Sequence, residues 1–243
     1  NDLDVTVDSL GSLPALDRLK SDQIDLAIIA IPEGKEGPGE RFRLYPFAYD
    51  SALIIVNERN PINEISIPGL GGIFGSSEEF NFNSWGELGL SGWGSRSIKP
   101  LAGSAKDSIS LELFRHSVLA GGTMKPGVAV VRDSEIEAAI AGNITSIGIS
   151  SRPPKDESLK VLMVSDEAQN TAYGPSLANI HVGDYPIRLP FYVAFDPRNE
   201  AKIKELLRFL LSEEIAGALS QNNLFPLPPT ARTQFLIDLN FQE

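Results

Sequence analysis

The strongest constraint on this chain is the run Ile24-Asp25-Leu26-Ala27-Ile28-Ile29-Ala30-Ile31, nearly all apolar and far too short to cross a membrane. Such a run is expected of a parallel strand covered on both faces. Before it stand a predicted short strand, Val5-Thr6-Val7, and a predicted helix, Leu13 to Leu19. Strand, helix and strand in that order imply a right-handed βαβ unit and so an α/β fold. Ala52 to Val56 is a second buried strand, stopped by Asn60-Pro61.

Pro68 to Ala102 is rich in Gly, Ser and Trp and reads as a looped region. Ser110 to Leu119 is the next helix, closed by Gly121-Gly122. Val128 to Val131 and Ile147 to Ile149 are strands, and between them Asp133 or Ser134 caps a helix, Glu135 to Ala141. Arg188 to Phe195 is a strand that Pro190 assigns to an edge or crossover position. Asn199 caps a helix with Ile203, Leu206, Leu207, Leu210 and Leu211 on one face, and a further helix runs from Glu213 to Ser220.

With 243 residues, the chain can bury a large core and divide into two lobes. Its formal charge of −11 argues against nucleic acid, whose phosphates need a basic face. It leaves room for a small anion, because local N–H donors outweigh carboxylates beyond a screening length of about 8 Å. The absence of Cys excludes thiol nucleophiles and thiolate metal sites. With two His, neither beside the other, a metal cluster is not expected either, and no Gly-x-Ser-x-Gly elbow is present. No enzyme activity, metal or cofactor is therefore expected.

The positive signal is two hydroxyl-bearing helix starts. Gly103-Ser104-Ala105-Lys106-Asp107-Ser108-Ile109-Ser110 precedes one helix, and Asp8-Ser9-Leu10-Gly11-Ser12 precedes another. Unpaired amides and the positive end of the helix dipole favour an anion at such a place, though the same residues also serve as ordinary N-caps. Gly75-Ser76-Ser77 has the look of a phosphate-cradling turn, but nothing after it matches a nucleotide-binding loop. Trp85 and Trp93 read as packing residues rather than a sugar platform.

Taken in order, several short stretches resemble the phosphate-binding proteins of ABC transporters, a branch of the type 2 periplasmic solute-binding fold. They include Asp25-Leu26-Ala27, Asp50-Ser51-Ala52-Leu53-Ile54-Ile55-Val56-Asn57, Gly72-Ile73-Phe74-Gly75, Ile147-Gly148-Ile149, Tyr185-Pro186-Ile187-Arg188 and Phe209-Leu210-Leu211-Ser212-Glu213-Glu214. The resemblance implies two α/β lobes, residues 1–53 with 188–243 and residues 54–187, each a mixed sheet flanked by helices and joined by two crossing strands. It implies an anion, phosphate first, held between the lobes by Gly11, Ser12, Ser104, Asp107, Ser108, Ile109 and Ser110. It further implies a monomer serving an ABC permease outside the cytoplasm, with a leader removed and an N-terminal element lying upstream. The family's Arg before the helix start is unmatched here, and Ile28-Ile29-Ala30 stands where its acidic residue is expected. A sensory or scaffold module with altered binding is the alternative those departures leave.

Overall fold

The computed structural model describes residues 4–76, 80–106 and 108–240. The chain forms two compact units, Asn1–Asp50 with Leu189–Glu243, and Ser51–Arg188. In chain order, the first unit opens with α1 (Ser12–Lys20), β1 (Leu26–Ala30) and β2 (Arg43–Ser51). The second unit holds β3 (Leu53–Asn57), β4 (Glu64–Ser66), α2 (Ile67–Phe74), β5 (Lys99–Gly103), α3 (Ser110–Leu119) and β6 (Ala129–Val131). It continues through α4 (Ile136–Ala141), β7 (Ser146–Ser150), β8 (Leu159–Val161), β9 (Met163–Ser165) and α5 (Leu177–Val182). The chain then re-enters the first unit with β10 (Arg188–Phe195), α6 (Glu200–Leu210), α7 (Glu213–Gln221), β11 (Phe225–Pro226) and α8 (Pro229–Asn240).

The sheet of the first unit has the order β1-β10-β2-β11. β1 runs antiparallel to β10, Leu26 opposite Phe195 and Ala30 opposite Phe191. Two expectations are corrected here and a third is narrowed. Val5-Thr6-Val7 forms no strand, and Val7 is 84% exposed, so the βαβ unit is absent among the described residues. β1 is neither parallel nor covered twice: Ala27 and Ile29 pack with Leu19 of α1, Phe42 and Ala194, while Ile28 points outward at 41% exposure. A run of apolar residues can alternate in burial as strands do, and composition alone does not reveal it. Pro190 sits in an interior strand, so of the two expected positions the edge is excluded and the crossover stands, the chain passing from the second unit to the first at Arg188 and Leu189. Pro190 is the third residue of β10, and its carbonyl accepts from Ile31 N at 3.1 Å.

Capping on the returning segment also differs. The Asn199 side chain makes no cap bond to α6. Asp196 caps instead, accepting from Arg198 N at the preceding 3-10 turn, Pro197–Asn199. That arrangement satisfies the start of the turn while Pro197 supplies a fixed φ.

The second unit is built on a five-stranded sheet of order β6-β5-β7-β3-β8. β5 is parallel to both β6 and β7, whereas β3 is antiparallel to β7 and β8. β3 is buried along its whole length, as its unbroken apolar sequence requires. Ile136 and Ile140 of α4 cover it through Ile55 and Leu159. The supposed loop from Pro68 to Ala102 instead contains α2 and β5. Glycine disfavours helix, yet Ser66 caps α2 by accepting from Gly69 N at 3.2 Å, with Pro in its first turn. A Cβ on Gly72 would fall 2.4 Å from the Phe82 ring, so tight packing favours the bare backbone there.

Candidate functional site

The hydroxyl-bearing residues of the two units occupy different kinds of station. In the first unit, Gly11 holds the N-cap position of α1 with φ of 80°, a left-handed conformation that suits glycine. Its carbonyl accepts from Ala15 N at 3.1 Å. Ser12 begins the helix but does not cap it. Its Oγ accepts from the backbone N–H of Ala30 at 2.9 Å, tying α1 to the end of β1. A hydroxyl used as acceptor keeps its own proton to donate.

The second station lies where three parallel strands end together. Register pairs Gly103 of β5 with Val131 of β6, and Ala102 with Ile149 of β7, so the carboxyl ends of all three strands share one edge. Open α/β sheets present ligand sites at such an edge, because helix N-termini and loop amides gather there. Ser104 leaves β5 and donates its N–H to Val131 O at 2.8 Å, while its Oγ accepts from Lys106 N at 3.2 Å. Ser108 N reaches Ser104 O at 3.4 Å, closing the loop. Ser110 is the first residue of α3 and only 1% exposed, and its Oγ lies 2.7 Å from Ser108 Oγ. Ile109 is the N-cap, with φ −79° and ψ −10°, and makes no side-chain cap bond. An isoleucine side chain carries no atom that could accept from the opening amides of α3. Asp107 lies outside the described residues.

The structure adds two residues at this edge that the sequence pattern did not single out as site residues. Asp133 was expected to cap the helix after β6. It sits in a 3-10 turn, Asp133–Glu135, and its Oδ2 accepts from Ser151 Oγ at 2.6 Å. The N-cap position of α4 falls on Glu135 rather than on Asp133 or Ser134, and the Glu135 side chain makes no cap bond. Gly103 packs directly on Asp133, since a Cβ there would fall 2.6 Å from Oδ1. The signal was present: each of the three short strands is followed at once by polar residues, Ser104, Arg132-Asp133 and Ser151.

Other singled-out residues lie elsewhere. Trp85 is fully buried and donates Nε1–H to Thr145 O at 3.1 Å. His116 is exposed on α3, and burial, then the Arg188 charge, draws His181 below the usual imidazole range. Gly75 and Ser76 border a cavity of about 370 Å³ whose walls include Ile67, Pro68, Phe80, Val118 and Leu119. Those walls are apolar and do not suit an anion; Ser77 lies outside the described residues. Among the described residues, no group of three His, Asp or Glu is arranged to hold a metal ion.

Comparison with known proteins agrees with this architecture. The family model described as "PBP superfamily domain" matches residues 1–214. Protein SphX of Synechococcus elongatus is 28% identical over 245 residues, an alignment covering 95% of this chain and 71% of SphX. The phosphate-binding protein PstS of Pseudomonas aeruginosa is 23% identical over 193 residues, 75% of this chain and 59% of that protein. Among solved structures, PstS from Borrelia burgdorferi superposes with a TM-score of 0.76 at 18% identity, covering 92% of this chain and 87% of that one. A possible phosphate binding protein from Planctomyces limnophilus gives a TM-score of 0.70 at 18% identity, over 92% and 84%. Likeness at this level of identity establishes the fold.

Proposed function

Because the chain belongs to the PBP superfamily domain family, we propose that it is a non-enzymatic, extracytoplasmic solute-binding protein that captures phosphate or a similar small oxyanion for an ABC importer. The observation that carries this reading is the second station: Ser104, Ser108 and Ser110 with the opening amides of α3, gathered at the carboxyl ends of β5, β6 and β7. Hydroxyls and backbone N–H groups hold an oxyanion by donating to it, and the helix dipole adds a favourable field. Ser12 and Gly11 are the candidate contacts from the first unit, with Ile109 offering its amide and Asp107 adjoining the loop. The names of SphX and PstS relatives support phosphate as the first ligand to try. The partner in this reading is a membrane permease, and the protein acts as a monomer.

Titration calorimetry of phosphate-free protein with inorganic phosphate tests it. Wild type is expected to bind, and S108A/S110A to bind at least tenfold more weakly, as expected for the loss of about 1.5 kcal/mol or more in hydrogen bonds to a charged group. S12A is expected to weaken binding less. Absence of heat with phosphate, sulfate, molybdate and nitrate alike overturns the reading.

A further inference from the structure

The carboxyl edge carries hydrogen-bonding groups of two polarities. On its α3 side, Ser108 and Ser110 have their hydroxyl oxygens 2.7 Å apart. One proton lies between the two oxygens, and the other remains to be donated to a third group. On its β7 side the situation is reversed. Ser151 Oγ donates to Asp133 Oδ2 at 2.6 Å, in a part-buried pair. A serine hydroxyl has one proton and two lone pairs, and a carboxylate oxygen only accepts. With its proton given to Asp133, Ser151 meets any further group as an acceptor.

Asp133 is fixed for this task. The backbone of Gly103 lies against its Oδ1, leaving no room for even a methyl group. Its turn follows β6 directly, and β6 is bonded to β5 in parallel register. A short charge-assisted bond in a part-buried place is shielded from competing water, so the orientation of the Ser151 hydroxyl is held.

A fully deprotonated tetrahedral anion such as sulfate offers only acceptors, whereas monohydrogen phosphate carries one O–H and can also donate. We propose that Ser151, oriented by Asp133, is the specificity-determining hydroxyl of the site, accepting the hydrogen bond of a proton-bearing tetrahedral oxyanion. The inference rests on the oxyanion reading given above and narrows it to phosphate over sulfate. Against sulfate, the Ser151 lone pair faces another lone pair with no proton between them, and the Asp133 charge behind it adds repulsion. Selectivity of this kind comes from penalising the wrong ligand. Asp133 acts here as a positioning residue.

Calorimetric titrations of the full chain with inorganic phosphate and with sulfate, at a pH where phosphate carries a single proton, test the assignment. Wild type is expected to prefer phosphate. S151A is expected to lose roughly tenfold in phosphate affinity while its sulfate affinity stays level or rises, and S151T, which keeps the hydroxyl, to restore the preference. D133N is expected to narrow the ratio, because its amide can donate to Ser151 and release the hydroxyl proton. Thermal melts identify any variant that has lost its fold, and S151A and D133N report independently. An unchanged phosphate-to-sulfate ratio in folded S151A or D133N overturns this inference alone. Wild type that binds neither anion overturns the oxyanion reading and this inference with it.

Discussion

Asp196 shows how much one side chain can organise. It is 3% exposed and stands at the end of β10, where Arg198 reaches it through Nε at 3.0 Å and Nη2 at 2.6 Å, and Arg41 through Nε at 2.9 Å. The Arg198 side chain, its backbone N–H and Arg41, in that order, hold the carboxyl far below the usual carboxylate range. A lowered folded-state pKa stabilises above the unfolded value, near pH 4, and that stability is lost as pH falls further. D196N is therefore expected to melt below wild type at neutral pH, with the gap closing in increasingly acid buffer below about pH 4; thermal melts across pH measure it. A gap that widened on acidification would contradict the assignment. At this scale the sequence was readable in kind but not in partner. Ser12, Ser108 and Ser110 announce themselves as hydroxyls at helix starts. That Ser12 binds Ala30, and Ser151 Asp133, joins residues 18 positions apart in each case, which no local pattern encodes.

At the scale of elements, glycine had the least legible role. Gly86 and Gly94 face one another in the turns before β5, and a Cβ on Gly86 would lie 2.4 Å from Gly94 Cα and 2.9 Å from its carbonyl oxygen. A Cβ on Gly94 would meet Gly86 Cα only at 4.0 Å, an ordinary contact. G86A must push two backbone segments apart and is expected to cost about 1–3 kcal/mol. G94A is expected to cost under about 1 kcal/mol. Urea titration of both variants checks the asymmetry, and equal costs would refute it. The same ambiguity hid α2, since a Gly-rich stretch reads as loop until the aromatic ring that needs the space is known. By contrast the bounds of α3 and β10 were legible to the residue, because amphipathic spacing and a bounded apolar run are local signals, although α3 is closed by Ala120 in a left-handed C-cap conformation where Gly121-Gly122 was expected. β1 was found as a strand, but its direction and partner were not, because both depend on β10, far along the chain.

For the whole molecule, the net charge of −11 acts at a distance where individual donors do not. An approaching anion is repelled once it comes within a screening length of the surface, and that length falls from about 30 Å at 0.01 M salt to about 8 Å at 0.15 M. Phosphate association is thus expected to quicken as inert salt is added over that range, read by rapid mixing; slowing would mean that a local positive field governs capture. The buried Trp85 brings a different consequence. Both indoles in the sequence, Trp85 and Trp93, belong to the unit Ser51–Arg188 and stack edge to face with centroids 6.4 Å apart. Tryptophan emission is therefore a private reporter of that unit, blind to the other, while circular dichroism sums the helices of both. Denaturation followed by the two optical signals at once will show whether the halves come apart as one cooperative transition or in succession.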